Sequence, residues 1–200
     1  MGPKAIDRML ALEPPREPLD SLAAVWRDFK WRRLERGHRD PCIKFTAESK
    51  DLREAITRAC DSRGADGKLF FHQGRVWQVN RDAYAKALLR VQNRKRMTKA
   101  ESFHEVWEVC SIVGGATHGI GTITTYDVAA RLCAYLGWPA RRIYLHGGVV
   151  DGCRSIGLNV NRRPWIERRE LPPPLRFVEN LDYVEDFLCG YRILIDRIGD

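Results

Sequence analysis

A mainly α-helical fold is what this sequence predicts, and three observations carry the prediction. Apolar residues recur at three- and four-residue intervals along most of the chain, a glycine-rich hairpin separates two such stretches, and only residues 64–79 break the helical period. Two hundred residues, 44% hydrophobic and 30% charged, suit one compact domain with a substantial interior. The expected layout is an extended lead-in over 1–18, where Pro3, Pro14, Pro15 and Pro18 oppose helix, followed by a single helical domain over 19–200.

From Leu19 a first helix carries Leu22, Val25, Trp26 and Phe29 on one face and fades into basic residues before Gly37. Asp40-Pro41 marks a turn. A second helix follows Ser49, with Leu52, Ala55, Ile56 and Ala59 aligned, and stops near Gly64. In the short non-helical segment, Asp66-Gly67 signals a turn, and Phe70, Phe71, Val76, Trp77 and Val79 suit short strands or an irregular loop. Helix returns over 81–92 through Tyr84, Ala87, Leu88 and Val91. Thr98-Lys99-Ala100-Glu101 reads as a capping box for the helix bearing Phe103, Val106, Trp107 and Cys110. A helix over 122–136 is stopped by Gly137-Trp138-Pro139, and another spans residues near 147–157. Residues 159–176, rich in Arg and Pro, form a surface excursion. A last amphipathic helix over 181–198 turns Val184, Phe187, Leu188, Tyr191, Leu194 and Ile195 inward.

Thirty-four Lys and Arg against 26 Asp and Glu give a net charge of +8, which favours a polyanionic partner. The cations cluster at Arg27–Arg39, Arg90–Lys99, Arg141-Arg142 and Arg162–Arg169; each cluster read alone is equally a solvated helix face. No apolar run approaches the ~18 residues of a membrane span. The N-terminus lacks the basic-then-apolar order of a signal peptide, so a cytoplasmic location is expected. Six cysteines at 42, 60, 110, 133, 153 and 189 contain no Cys-x-x-Cys pair, so neither metal nor cofactor is expected and reduced core thiols are.

The chemistry-bearing element is the hairpin within residues 107–137. A helix ends at Gly114-Gly115, a tight turn runs through Gly119-Ile120-Gly121, and a second helix opens with unpaired amides. Those amides and the positive end of the helix dipole suit a nucleic-acid phosphate. Ile120 is the apolar plug between the glycines. His118, Gly119, Gly121, Thr122 and Arg154 are the candidate phosphate contacts, and a monomer on double-stranded DNA is the expected state.

Val109–Leu136 and the following Ile143–Asp151 resemble the helix-hairpin-helix DNA glycosylase superfamily, closely over about 45 residues. In that family a Gly-apolar-Gly hairpin leads to a helix, a Gly/Pro loop and a carboxylate at the next helix start. The stretches Asp66-Gly67-Lys68…His72-Gln73 and Gly119-Ile120-Gly121…Tyr126-Asp127…Tyr144-Leu145-His146 are also similar to a divergent branch related to α-glutamyl/putrescinyl-thymine pyrophosphorylases, associated with hypermodified phage DNA. The resemblance implies a helical glycosylase-like bundle acting on DNA bases, with phage defence as a plausible setting. Two departures qualify it. Lyase-competent members carry a lysine where Ile123 stands, so strand cleavage is not expected. The usual Val-Asp-x-His context is replaced by Ile143-Tyr144-Leu145-His146, so either the acid has moved or the protein is a non-catalytic DNA binder.

Breaking an N-glycosidic bond needs a carboxylate beside a developing sugar cation, polar donors to the departing base and room for a flipped nucleotide. Asp127 is the leading carboxylate, and a favourable interaction with the helix N-terminus is its competing role. Asp151 is the second, and is equally read as a helix-start residue. His146 is a third catalytic candidate or a packing histidine. Lys68, His72, Gln73, Tyr126 and Tyr144 are the candidate base pocket, set against a plain polar turn and core tyrosines. Monofunctional base excision, a pyrophosphorylase-like synthesis of a modified base, and DNA binding without chemistry are the three readings that remain.

Overall fold

The computed structural model describes residues 19–35 and 40–198, with the side chains of 33–35, 71 and 72 left out. The expected lead-in over 1–18 and much of the Arg27–Arg39 cluster lie outside the described residues. The fold is mainly helical with one two-stranded sheet. The residues group into two compact units. One combines the N-terminal helix with everything from Arg141 onward, and the other is Asp40–Ala140.

In the first unit, α1 (Leu22–Phe29) starts where the Ser21 hydroxyl accepts the Ala24 N–H at 3.2 Å, and it widens into a π turn over Lys30–Glu35. Its apolar face meets Phe187 and Tyr191 through Trp26 and Phe29, whose rings lie 5.1–5.4 Å from these partners. Strands β1 (Arg142–Tyr144) and β2 (Trp165–Glu167) pair antiparallel with Ile143 opposite Ile166, both fully buried. The helical reading of the sequence did not anticipate them. Three residues are too few to display a period of two, and their partner lies over twenty residues away. Between the strands runs α8 (Gly147–Ser155), and the chain ends in α9 (Leu181–Gly190) and α10 (Arg192–Asp196). The single helix expected over 181–198 is therefore broken at Gly190-Tyr191, where glycine weakens helix. Helices α8 and α9 touch backbone to backbone. A Cβ on Gly152 would collide with the Leu188 carbonyl, and one on Gly148 would sit 2.6 Å from the Cys189 sulfur.

The second unit holds α2 (Pro41–Ala47), α3 (Leu52–Asp61), α4 (Gln78–Leu88), α5 (Val91–Thr98), α6 (Phe103–Gly115) and α7 (Thr122–Leu136). Asp40-Pro41, expected as a turn, opens α2 instead: Asp40 accepts the Cys42 N–H at 2.8 Å, and Pro41 occupies a first-turn position that lacks an intrahelical acceptor anyway. The capping box expected at Thr98 does not form. Thr98 ends α5, and α6 is capped by Ser102, which accepts the Glu105 N–H, while Glu105 accepts the N–H of Glu101, one residue before the cap, at 2.7 Å. Residues 62–77 resolve as the irregular alternative: one Arg63–Leu69 bridge and a 3-10 turn over Phe71–Arg75. Helix α7 is central, packed on α2, α3 and α6, and its Val128, Ala129 and Leu132 are fully buried. None of the six cysteines is in a disulfide. Among the described residues, no helix is long and apolar enough to cross a membrane.

Candidate nucleic-acid interface

Helices α6 and α7 are joined by a tight turn that is closed by local bonds. The Thr117 N–H donates to the Gly114 carbonyl at 2.9 Å and its hydroxyl to the Val113 carbonyl at 2.7 Å, occupying two of the last carbonyls of α6. Gly119 has φ of +74°, and a side chain there would also strike Asn80 on α4. The fold itself requires that glycine. At Gly114 the two helices approach closely: an added Cβ would lie 2.7 Å from the Thr125 hydroxyl and 3.2 Å from a methyl of Ile120. Ile120 thus packs on its own helices, as the sequence led us to expect.

Gly121 is different. Its φ of −93° and ψ of 174° are ordinary extended values, and a Cβ would meet nothing within 4 Å. It caps α7 without a side chain, and the first hydrogen bond back to it comes from the Thr125 N–H at 3.0 Å. The amides before Thr125 have no acceptor within the helix, and His118 and Thr122 beside them are exposed. This is the arrangement in which a helix start binds an anion. In the same unit, a groove of about 610 Å³ between the start of α3 and α5 is lined by Arg53, Arg94, Lys95 and Lys99 against the lone acid Asp51. Basic side chains so grouped suit a phosphate backbone.

Asp127, the sixth residue of α7, is mostly buried. Its Oδ2 accepts from Gln73 Nε2 at 2.5 Å and lies 3.9 Å from Nη2 of Arg131, one turn along. Arg131 is fully buried. Its Nε donates to Asp40 Oδ2 at 2.7 Å, and its Nη1 donates to the Ala59 carbonyl and the Ser62 hydroxyl. Burial pulls its pKa down, but the carboxylates of Asp127 and Asp40 outweigh that and raise it above the ordinary arginine value. The guanidinium also stands 5.7 Å from the Phe70 ring. Arg131 therefore ties α7 to the start of α2, the end of α3 and the 62–77 segment.

Gln73 is fully buried on the 3-10 turn, and Arg81 fixes that turn by donating to the Gln73 and Val76 carbonyls. Three buried atoms here lack a hydrogen-bond partner among the described residues: Gln73 Oε1, Arg81 Nε and Arg131 Nη2. Such atoms are uncommon because each forfeits its hydration. The thiols nearby are inert: burial, the largest influence, pushes Cys42 up to about 12 despite Arg131, and it pushes Cys110 to about 12 as well.

Of the residues singled out from the sequence, Gln73 and Asp127 meet across 54 positions. Tyr126 is buried with its ring 6.0 Å from Phe103, and Lys68 is exposed on its turn, 3.4 Å from Asp66. The side chain of His72 lies outside the described residues. Tyr144, His146, Asp151 and Arg154 belong to the other unit. There Tyr144 is core beside Trp165, and His146 Nε2 is 2.7 Å from Glu185 Oε1. Asp151 is the fifth residue of α8 rather than its start. It is exposed, 4.0 Å from Arg154 and 3.9 Å from Arg192.

Sequence reasoning missed Arg131, Asp40 and Arg81. An arginine inside the apolar run Val128–Cys133, one turn after Asp127, was the available signal for the first. Comparison of the chain with family models, with curated proteins and with solved structures finds no match.

Proposed function

We propose that this chain grips DNA through the hairpin of α6 and α7 and removes a base by hydrolysis, leaving the strand intact. The observation that carries the reading is the contrast between the two hairpin glycines: the fold requires Gly119, whereas nothing among the described residues requires Gly121. A glycine with room for a side chain, at an uncapped helix start, is explained by the close approach of something from outside. The net charge of +8 and the basic groove beside α5 favour DNA as that partner.

In this reading Asp127 stabilises the positive charge that develops on the sugar as the N-glycosidic bond breaks. The electron pair of that bond leaves with the base, water bonds to the anomeric carbon, and the proton that water gives up ends on the departing base. Gln73, whose Oε1 lacks a donor among the described residues, supports recognition of a base edge. Ile123 offers no amine for a Schiff base, which supports excision without β-elimination. The resemblance to helix-hairpin-helix glycosylases and to the pyrophosphorylase-related branch adds a modified pyrimidine as the first substrate to try, and phage defence as the setting.

A second reading has its own support. Asp127 is held by Gln73 and lies near Arg131, which is how a carboxylate with a purely architectural role would sit, and the protein would then bind DNA without chemistry. The deciding experiment incubates the chain with unmodified and hypermodified phage DNA and scores released bases and alkali-labile sites. Base release by the wild type that Asp127→Asn abolishes, with DNA binding and thermal midpoint retained, supports excision. Binding without release by any variant on either DNA leaves the DNA-binding reading.

A further inference from the structure

Outside the hairpin unit, three metal-ligating side chains converge where α8 begins against the second half of α9. His146 is the N-cap of α8, and Glu185 and Cys189 stand four residues apart on one face of α9. An imidazole nitrogen, a carboxylate oxygen and the sulfur all lie within 4.8 Å of one another. His146 and Glu185 are the closest pair, 2.7 Å apart, with side chains only 3% and 13% exposed. The thiol owes its position to Gly148, since a Cβ there would fall 2.6 Å from Sγ and 3.3 Å from the Cys189 carbonyl. Glycine at 148 is thus what lets the sulfur reach the start of α8.

We propose that His146, Glu185 and Cys189 bind a divalent cation of the zinc class. One nitrogen, one oxygen and one thiolate sulfur form a borderline-soft donor set, which selects zinc over calcium or magnesium. Bonds of about 2.0–2.3 Å to a tetrahedral ion set neighbouring donors roughly 3.3–3.8 Å apart. The His146–Glu185 pair would open by under about 1 Å, and a separation at the 4.8 Å limit would close by about 1–1.5 Å, within the reach of small torsional adjustments on two fixed helices. Two ligands four residues apart on a helix, completed by a third from another segment, is a familiar way to hold zinc. Three protein ligands leave the fourth position to water, the pattern of reactive rather than purely structural zinc sites. This assignment departs from the expectation of no metal, and it does not depend on the hairpin or on base excision. A hydrogen-bonded His146–Glu185 pair beside a packed thiol is the arrangement it competes with.

The test uses the full chain, stripped with a chelator and titrated with Co²⁺ and then Zn²⁺. One equivalent of Co²⁺ should give a thiolate-to-metal charge-transfer band with the intense visible bands of a tetrahedral site, and Zn²⁺ should displace it. Cys189→Ser should abolish the charge-transfer band, and Glu185→Gln should weaken Zn²⁺ binding by more than about tenfold. Should His146→Ala fail to fold, Cys189→Ala retains the apolar packing and still decides the matter, since its thermal midpoint must no longer rise with Zn²⁺. Absence of the band in the wild type, or a band that survives Cys189→Ser, overturns the proposal.

Discussion

Replacing Gly121 with alanine separates what the hairpin does for the fold from what it does for a partner. Its φ of −93° is accessible to any residue, and the added methyl would meet nothing within 4 Å, so the native conformation carries no strain. Alanine restricts the unfolded chain, which stabilises by about 0.4–1 kcal/mol. It is a poorer N-cap than glycine, which costs a similar amount, typically about 0.5–1 kcal/mol. The two offset, and chemical denaturation should show a change within about 1 kcal/mol. DNA affinity should respond very differently. A methyl interposed between the α7 amides and a phosphate disrupts a hydrogen bond to a charged group worth about 1.5–3 kcal/mol, a roughly 10- to 100-fold loss. The assay is fluorescence anisotropy on a duplex across a salt series, comparing wild type and Gly121→Ala. Equal affinity of the two folded proteins, at every salt concentration, would refute the anion-site reasoning. Gly119→Ala is the control: with φ of +74° and Asn80 in the way, it should lose stability as well as binding.

Four further outcomes follow from geometry already described. Arg131→Met should destabilise the protein by about 3–5 kcal/mol in denaturant unfolding, because it leaves the Asp40 and Asp127 carboxylates without their buried cation; a loss under about 1 kcal/mol would contradict the hub role. Charge reversal at Arg94 and Lys95 should weaken DNA binding uniformly across sequences and flatten its salt dependence, and an unchanged salt slope would remove the groove from the interface. Glu170, drawn down from 4.5 to about 2 chiefly by hydrogen bonding to Arg163, stabilises above pH 4.5 and loses that contribution as pH falls towards 2. Glu170→Gln should therefore flatten the acid limb of the stability profile in that window and nowhere else. Finally, a thiol reagent at mild alkaline pH should label at most Cys189 in the native protein, since the other five are buried, and all six after denaturation; two or more fast-reacting thiols would show the cores to be open.

The elements legible in the sequence were those whose cause is local. The period of α7, the hairpin glycines and the Ile120 plug follow from neighbours within a few residues, and each stands where it was expected. The two strands, the start of α2 at Pro41 and the break at Gly190 depend on partners or termini that no window of ten residues contains. The same division runs through the candidate site. Asp127 and Gln73 were each chosen for residue type and setting, but their contact spans 54 positions and passes through a turn with no period to read. Arg131 was not singled out because its three partners, Asp40, Ala59 and Ser62, lie 69 to 91 positions away in sequence. His146, Glu185 and Cys189 were invisible as a group, since no short motif joins residues 39 or more positions apart.

Gly148 and Gly152, one turn apart on α8, leave no gap against α9 into which even a methyl fits without displacing backbone or sulfur. Two helices so joined move as one stiff bar, because sliding either by a fraction of a turn would drive a Cα into the facing carbonyl. A saturation-mutagenesis survey should find both positions nearly barren, with tolerance returning at exposed Gly147. In hydrogen exchange, the Val149–Cys153 amides should be among the last of their unit to open, and should open together with those of Val184–Leu188.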